Sequence, residues 1–249
     1  MIEFNHVYKS FNVGRPNEIA ALRDINLHIE ASEFLVLVGS NGSGKSTLLN
    51  LIAGNIFPTS GNIKIAGQNV NKLPEYKRSK WLARVFQNPL LGTAPELSIV
   101  ENFRLASLRT SSKSLKIGLN ANFKEEISDR IAVLGLGLEN KLQQAMGSLS
   151  GGQRQALSLL MAVMADIQIL LLDEPTAALD PRSATIVLET ADKLIKDYSI
   201  TAIMVTHNLK DAYQYGSRII QLHDGKIKRD ISKDKKELLS YVDMYEWFI

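Results

Sequence analysis

The stretch "FLVLVGSNGSGKSTLLNLIAG" (34–54) decides the fold of this chain. It opens with five successive apolar residues (34–38), as expected of a strand that is buried on both faces. A glycine-rich run follows at once, and the leucines of "TLLNLIAG" (47–54) then recur at helical spacing up to a stop at Gly54. Strand, glycine loop and helix in this order predict an α/β fold built on a parallel sheet.

The glycine-rich run matches the phosphate-loop pattern G-x-x-x-x-G-K-[ST] at every position, from Gly39 to Ser46. Glycines let the backbone curl so that successive N–H groups and the N-terminus of the next helix point at phosphate oxygens. Lys45 is expected to reach the outer phosphates and Ser46 to hold Mg²⁺. A flexible turn is the alternative, but the flanking strand and helix favour a phosphate site. The predicted contacts are Gly39, Ser40, Asn41, Gly42, Ser43, Gly44, Lys45, Ser46 and Thr47.

The composition is that of a chain with a substantial hydrophobic core. Of the 249 residues, 45% are hydrophobic, which is enough for one large α/β domain or two small lobes. Cysteine is absent, which excludes disulfides, thiolate zinc sites and a cysteine nucleophile. No apolar run approaches the roughly 20 residues of a membrane helix, and the start "MIEFNHVYKSF" does not resemble a secretion signal. We therefore expect a soluble chain that is able to dock on a membrane protein.

The charges are spread along most of the chain. A net charge of +3 results from 29 basic and 26 acidic residues, which is too even a distribution for a nucleic-acid partner. The densest basic stretch (104–119) contains Arg104, Arg109, Lys113 and Lys116 and no acid. It is either a solvated loop or helix face, or a surface that faces lipid headgroups or a membrane partner.

The remaining segments divide into strands and helices by the period of their apolar residues. Strands are predicted for "IEFNHVY", "DINLHIE", "NIKIAG", "IQILLL" (167–172) and "ITAIMVT" (200–206), with a turn at "GQNV" after the third of these. Helices are predicted for "IVENFRLASL", "EEISDRIAVLGL", "QALSLLMAVMA" and 181–198. The pair Asp224-Gly225 predicts a hairpin turn within 218–231.

Two carboxylates, Asp173 and Glu174, follow directly after the predicted buried strand "IQILLL". Ligands bind at the carboxyl ends of strands in open α/β sheets, so Asp173 is placed to hold Mg²⁺. Glu174 is placed to orient or deprotonate the water that attacks the γ-phosphate. Adjacent acids also end strands at a surface without any further role, but the phosphate loop favours the catalytic interpretation.

His207 and Gln87 each follow a predicted strand. His207 is a candidate to hydrogen-bond the γ-phosphate, and the alternative is a structural cap. Gln87, in "VFQNP", is a candidate Mg²⁺ ligand, and the alternative is a polar surface residue. The other three histidines (His6, His28 and His223) have no spacing typical of a metal site.

Taken together, the order of "GSNGSGKST", Gln87, "LSGGQ", "ILLLDE", "AALD" and His207 resembles the nucleotide-binding subunit of ATP-binding cassette (ABC) transporters over almost the whole chain. The resemblance implies a P-loop NTPase core with an antiparallel β subdomain and an inserted α-helical subdomain. It implies that 1–249 forms a single ABC ATPase domain. The core with its β part would comprise 1–87 and 161–249, and the helical subdomain 88–160.

The resemblance also implies a role for each matching residue. Phe11, or less well Tyr8, matches the aromatic that stacks on adenine. Gln87 matches the loop that senses Mg²⁺ and touches the membrane subunit, Glu174 the catalytic carboxylate, and His207 the switch histidine. There are two small departures from the family pattern: the aromatic is Phe, and Ala177 stands where serine is common.

In this family two subunits clamp two ATP molecules between them. The resemblance therefore implies a homodimer on ATP binding, in which each ATP contacts the phosphate loop of one chain and the "LSGGQ" of the other. The start of a helix at Ser150, Gly151 and Gly152 is a suitable anion-binding end. The residues implied to contact ATP across the dimer are Leu149, Ser150, Gly151, Gly152, Gln153 and Asp180.

The resemblance further implies that membrane-spanning permease subunits are separate chains and that the subunit is cytoplasmic, at the inner face of the membrane. The sequence is most similar to a branch of importer ATPases near the phosphonate-type and amino-acid groups, which work with solute-binding proteins. An exporter of lipids, lipoproteins or drugs would share every motif. A soluble cassette ATPase is the second alternative, although such proteins usually carry tandem cassettes or long insertions.

Overall fold

Two β-sheets organise the chain in the computed structural model, which describes residues 1–109 and 118–248. Within these residues there are ten strands: β1 (Ile2–Phe11), β2 (Ile19–Ile29), β3 (Phe34–Val38), β4 (Ser60–Ile65), β5 (Gln68–Asn69), β6 (Leu82–Val85), β7 (Ile169–Asp173), β8 (Thr201–Val205), β9 (Arg218–His223) and β10 (Lys226–Ile231). The smaller sheet has the order β2-β1-β4-β5 and is antiparallel. The larger sheet has the order β10-β9-β3-β8-β7-β6.

The larger sheet is parallel apart from one edge. Strands β3, β6, β7, β8 and β9 run in the same direction, and β10 pairs antiparallel with β9. Because β3 lies between β8 and β9, the strand that leads into the glycine-rich loop is held on both sides by strands from the last quarter of the chain. The α/β fold and the parallel sheet predicted from residues 34–54 are confirmed.

The described residues also form nine α-helices: α1 (Lys45–Ala53), α2 (Glu75–Arg78), α3 (Ile99–Ser107), α4 (Ala121–Ala132), α5 (Gly151–Ala162), α6 (Pro181–Asp197), α7 (Leu209–Gln214), α8 (Lys233–Glu237) and α9 (Tyr241–Tyr245). Short 3₁₀ turns lie at Pro89–Gly92, Met146–Ser148 and Glu246–Phe248. Helices α3, α4 and α5 come between β6 and β7 in the chain. None of the helices in the described part of the chain is long and apolar enough to cross a membrane.

A separate hydrophobic core lies on each side of the larger sheet. Along β3, Val36 and Val38 belong to the core shared with α3 to α6, whereas Leu35 and Leu37 belong to the core shared with α1 and the antiparallel sheet. All five side chains of β3 are buried. This is why the strand has no polar position, and why its continuous apolar pattern predicted its bounds correctly.

The C-terminal end of α1 is held by a buried arginine. Arg78 has no exposed surface, and its guanidinium donates to the carbonyls of Leu51, Ile52, Val70 and Leu73. Burial lowers the pKa of Arg78 to about 10. Two of these carbonyls belong to the last turn of α1, where helical carbonyls lack partners, so Arg78 fixes the end of the helix that the glycine-rich loop begins.

Several predicted bounds differ from those of the structure. Strand β2 begins at Ile19 instead of Asp24, and the residues predicted as a turn at 67–70 include the two-residue strand β5. Helix α4 begins four residues earlier than predicted because Asn120 caps it by accepting from the Phe123 N–H. Helix α5 begins at Gly151, as expected for a helix start at Ser150, Gly151 and Gly152, although the apolar period of the sequence begins only at Gln155.

Candidate functional site

The glycine-rich loop connects β3 to α1 in a conformation that its glycines make possible. Gly39, Gly42 and Gly44 have φ values of 152°, 79° and 105°. A Cβ on Gly39 would lie 2.3 Å from the carbonyl oxygen of Leu222, and one on Gly44 would lie 2.7 Å from that of Ala21. The loop therefore needs glycine both for backbone angles and for close packing.

The hairpin turn between β9 and β10 supports the loop from behind. The Gly225 N–H donates to the Ser43 carbonyl at 3.1 Å, and the Gly225 carbonyl accepts from the Arg23 N–H at 2.8 Å. The predicted turn at Asp224 and Gly225 is confirmed, with φ values of 47° and 74°. It links the loop to β2, so three segments that are distant in sequence meet here.

The side chain of Lys45 lies over this loop. Its Nζ donates to the carbonyls of Gly39 at 2.7 Å and Ser40 at 3.0 Å, and the residue is 6% exposed. Burial lowers the pKa of Lys45, and the charges of Glu174 and Asp173 act against that fall. The phosphate-loop lysine and the two carboxylates are thus close enough to interact, as the sequence predicts.

Glu174 and His207 meet at the carboxyl ends of adjacent strands. Asp173 ends β7, and the Glu174 N–H that follows donates to the Val205 carbonyl at the end of β8. The Nδ1 of His207 lies 3.2 Å from Oε2 of Glu174, and these side chains are 61% and 20% exposed. Glu174 has a φ of 47°, in the left-handed region that a non-glycine residue seldom occupies. Such backbone strain is typical of residues held for a function.

Arg84, which the sequence analysis did not single out, contacts the carboxylate of Asp173 directly. It lies in β6, and its guanidinium donates to Oδ2 of Asp173 at 2.5 Å and to Oδ1 of Asn50 at 2.7 Å. Both charged side chains are largely buried, at 10% and 17% exposed. The available signal was a single charge inside the otherwise apolar strand "LARV", three residues before Gln87.

Gln87 and Ser46 are both exposed. Ser46 lies in the first turn of α1, and Gln87 follows β6 by two residues. The buried Gln155 donates through Nε2 to the carbonyls of Phe86 at 3.0 Å and Pro175 at 3.1 Å. It thereby joins the Gln87 segment to the Glu174 segment through α5.

The second glycine pair, Gly151 and Gly152, begins α5. Ser150 is the N-cap, with a capping box in which Ser150 Oγ accepts from the Gln153 N–H and Gln153 Oε1 accepts from the Ser150 N–H. Ser150 and Gly151 are exposed, whereas Leu149 is buried. Arg154 fixes the preceding turn by donating to the carbonyls of Met146, Gly147 and Leu149.

Asp180 has a structural role that the sequence analysis did not assign. It is the N-cap of α6, where its Oδ1 accepts from the N–H groups of Arg182 and Ser183, each at 3.1 Å. The side-chain hydroxyl and backbone N–H of Ser183 lower the pKa of Asp180. Its side chain is exposed at the same time, so the cap leaves it accessible to a partner.

Both predicted adenine-stacking residues lie on β1. Phe11 is its last residue, and its ring is 37% exposed with Lys9 Nζ at 4.9 Å from the centroid. Tyr8 is 41% exposed. An accessible ring at the end of a strand is suitable for stacking on a base.

The described part of the basic stretch packs against the protein. The Arg104 guanidinium lies 5.7 Å from the ring centroid of Phe123, and Arg109 donates to the carbonyl of Ala162 at 3.0 Å. Lys113 and Lys116 lie outside the described residues. The two interpretations of this stretch, a solvated face and a membrane-facing surface, therefore both stay open.

Known proteins are similar to this chain in sequence and in fold. The profile of the family described as "ABC transporter" matches residues 22–177. The whole chain is 42% identical to a tyrosine transport ATP-binding protein of Clostridioides difficile, of which it covers 98%. It is 35% identical, over 93% of its length, to the ABC transporter ATP-binding protein YtrE of Bacillus subtilis, of which it covers 99%. A dimeric structure of the ATP-binding cassette MJ0796 in a post-hydrolysis state, bound to ADP and Pi, matches with a TM-score of 0.80 at 29% identity over 94% of this chain and 99% of that one.

These similarities extend over the loop, the strand-end carboxylates and the capped glycine turn described above. The relatives of the chain include both import and export proteins. The similarity therefore establishes the family of the chain but not the direction of transport. The P-loop ATPase fold is confirmed. The chain belongs to the ABC transporter family, as an ATP-binding subunit that couples ATP hydrolysis to transport.

Proposed function

We propose that this subunit powers the import of a small solute such as an amino acid. The observation that carries the proposal is the identity of 42% along the whole chain with a protein named for tyrosine transport. The solute itself would be selected by a permease and a solute-binding protein, because nothing in the ATP site distinguishes one solute from another.

In this proposal two copies of the chain enclose two ATP molecules. The hydrogen bonds of Lys45 stay within its own loop, and those of the Ser150 side chain stay within the first turn of α5. The first turn of α5, which is exposed at Ser150 and Gly151, carries the positive end of the helix dipole. A phosphate held by the loop of a second copy is a suitable partner for this helix start. The dimeric form of the similar cassette structure supports such an arrangement.

The proposed catalytic residues are Glu174, His207 and Gln87. Glu174 is positioned as the general base that takes a proton from the attacking water. His207 contacts the Glu174 carboxylate at 3.2 Å and fixes its orientation. Gln87 lies at the start of an exposed segment that links the site to the helices α3 and α5.

The residues near the loop fit a magnesium ion. The hydroxyl of Ser46, the amide oxygen of Gln87 and the carboxylate of Asp173 are oxygen donors of the kind that Mg²⁺ prefers. Within the described residues, Oδ1 of Asp173 has no hydrogen-bond partner, whereas Oδ2 is bound by Arg84. When bound together with ATP, Mg²⁺ neutralises charge that develops on the phosphates. We propose that Ser46, Gln87 and Asp173 hold it.

We place the permease contact beside the Gln87 segment. A groove of about 370 Å³ lies between this segment and the helices α3 and α5. Two of the apolar side chains that line it are exposed, at 68% for Leu91 and 53% for Leu105. Residues 88–160, which contain α3 and all but the last two residues of α5, are proposed as the helical subdomain, with the core formed by 1–87 and 161–249. The subunit would then lie on the cytoplasmic face of the membrane.

The test is to co-purify the subunit with its permease and to screen the associated binding protein against amino acids by calorimetry. The complex is then reconstituted in vesicles with the binding protein on the outer side. ATP is enclosed in the lumen with the ATP-binding subunits. We expect its hydrolysis there to rise only when the binding protein carries its amino acid. Stimulation by a compound added on the ATP side, without a binding protein, would show export. Stimulation by nucleic acid with no response to a permease would contradict a role in transport.

A further inference from the structure

Arg84 connects the three elements that carry the three proposed Mg²⁺ ligands. It lies in β6, which leads to Gln87, and it donates to Asn50 in α1 and to Asp173 at the end of β7. Ser46 is four residues before Asn50, so both side chains lie on the same face of α1. No other residue in the described chain donates to both Asn50 and Asp173.

The guanidinium is fixed independently of Asp173. One terminal nitrogen donates to Oδ1 of Asn50 at 2.7 Å and to Oδ1 of Asn55 at 3.3 Å, and the other donates to Asp173. Its central carbon lies 5.0 Å from the centroid of the Phe86 ring. Withdrawal from the carboxylate would break several contacts at once, and a planar, fork-shaped donor is well suited to such fixed geometry.

We propose that Arg84 is a positioning residue for the metal site, which holds Asp173 by Oδ2 and leaves Oδ1 to face the metal. This inference rests on the proposed Mg²⁺ role of Asp173. Hydrogen bonds from neighbouring groups orient metal-binding carboxylates and raise metal affinity. Arg84 performs this function while joining α1, β6 and β7 into one frame, so that ligands from three elements keep a common geometry.

Electrostatic repulsion between a guanidinium and a divalent cation argues for the opposite role, in which Arg84 competes with the metal. A competing arginine would have to leave Asp173 before the metal binds. The two roles predict opposite changes in metal-dependent binding when Arg84 is replaced. Removal of an anchor weakens this binding, and removal of a competitor strengthens it. The anchors at Asn50 and Asn55 favour the first role.

The experiment compares Arg84→Met with wild type in the binding of a non-hydrolysable ATP analogue, with Mg²⁺ and with excess EDTA. Methionine retains an apolar stem beside Phe86 but donates no hydrogen bond. We expect the affinity with Mg²⁺ to fall by about 10- to 100-fold and the affinity in EDTA to change by less than about twofold. Direct titration with Mn²⁺, followed by its paramagnetic resonance signal, should show the same loss in the presence of the analogue.

Two further variants control for folding and charge. Arg130→Met removes the exposed ion pair with Glu126, whose side chains are 36% and 50% exposed, and should change neither affinity. Asn50→Ala removes one anchor of the guanidinium and should give an intermediate loss with Mg²⁺, even if Arg84→Met does not fold.

The outcomes separate the two proposals. If wild type binds the analogue equally well with Mg²⁺ and with EDTA, the proposed metal site is wrong. If wild type depends on Mg²⁺ but Arg84→Met and Asn50→Ala retain that dependence, the positioning role is wrong. Tighter Mn²⁺ binding by Arg84→Met would identify Arg84 as a competitor of the metal and would also overturn the positioning role.

Discussion

The phosphate loop (39–47) and the glycine turn before α5 (149–153) look alike in sequence but use glycine for different reasons. In the phosphate loop, Gly39, Gly42 and Gly44 have positive φ values and the backbone itself forms the site. In the turn, Gly151 and Gly152 have ordinary helical angles. A Cβ on Gly152 would lie 2.4 Å from the side chain of Ser183, so glycine is needed there for the contact between α5 and α6.

This difference shows that one glycine pattern does not identify one kind of site. The phosphate loop is closed by its own chain, since Lys45 binds its carbonyls and Gly225 binds Ser43. The turn is only capped by its own chain and stays exposed at Ser150 and Gly151. The phosphate loop is therefore stabilised within its own chain, whereas the glycine turn is a surface that is available to a partner.

The largest expected effect is that of Glu174→Gln, which tests whether both regions act on the same ATP. Loss of the general base should reduce turnover by about 10²- to 10⁴-fold while ATP binding is retained. ATP that is bound but not hydrolysed should then hold two copies together, as measured by light scattering with saturating ATP. A variant that stays monomeric and hydrolyses normally would contradict the role of Glu174.

The next effect separates the two regions by mutation. Lys45→Ala should weaken ATP binding by a monomer about 100-fold, because a charge-assisted contact to the phosphates is lost. Ser150→Ala should leave binding by the monomer unchanged and reduce turnover of the dimer. Both are measured by fluorescent-nucleotide titration and by phosphate release.

Mixing these two impaired variants sharpens the comparison. A heterodimer of Lys45→Ala and Ser150→Ala chains has one site with both changes and one site with neither. An equal mixture should thus recover about a quarter of wild-type turnover, since about half of the dimers are mixed and each has one intact site. If the mixture stays as inactive as its components, each ATP is not shared between chains.

Smaller effects are expected from alanine at the two kinds of glycine. Gly44→Ala and Gly152→Ala should each lower the free energy of unfolding by about 1–3 kcal/mol. The cause is backbone strain for Gly44→Ala and overpacking against Ser183 for Gly152→Ala. Ser183→Gly removes the atoms that Gly152→Ala meets and should restore stability to that variant. It should not restore Gly44→Ala, which meets the backbone oxygen of Ala21. Urea unfolding of the single and double variants gives the coupling energy.

The smallest effect concerns Asp180, which caps α6 beside the glycine turn. Asp180→Ala should lower the unfolding midpoint by about 2–4 °C, whereas Asp180→Asn should preserve it, because asparagine caps equally well. If Asp180→Asn nevertheless loses turnover, the charge acts across the dimer and not through the cap.

The same residue predicts a pH dependence. Hydrogen bonds from Ser183 lower the pKa of Asp180 below its ordinary value of 3.8. Its stabilisation should therefore be present above that value and be lost as the pH falls through the lower pKa of the folded chain. Acid titration of the unfolding midpoint, with Asp180→Asn as the control, measures this contribution. An equal acid response in the two proteins would argue against it.

The sequence predicts the fold well where a physical constraint is local. The bounds of β3 follow from five apolar residues and a phosphate loop, and Gly54 ends the run as a left-handed C-cap of α1 with a φ of 88°. Helix α5 begins at Gly151, before the apolar period that starts at Gln155, since the capping box of Ser150 and Gln153 outweighs the poor helix propensity of two glycines.

The part of the site that was not predicted depends on contacts between distant segments. Arg84 meets Asp173 because β6 and β7 are neighbours in the sheet, with Arg84 in register with Leu171. Sequence spacing carries no information about that pairing. The cap formed by Asp180 was overlooked for another reason: its position in "AALD" suggested only a contact with a second subunit.

The position of β3 between β8 and β9 has a consequence for synthesis of the chain. The phosphate loop is encoded near the start, yet its support includes Gly225, so it is complete only when that residue has left the ribosome. At about 5–20 residues per second, the interval between residues 43 and 225 lasts on the order of 10 to 40 seconds. Throughout this interval the nascent chain carries the complete phosphate-loop sequence without the backbone support of Gly225. We therefore expect nucleotide binding to begin only after translation has passed the last strands of the sheet.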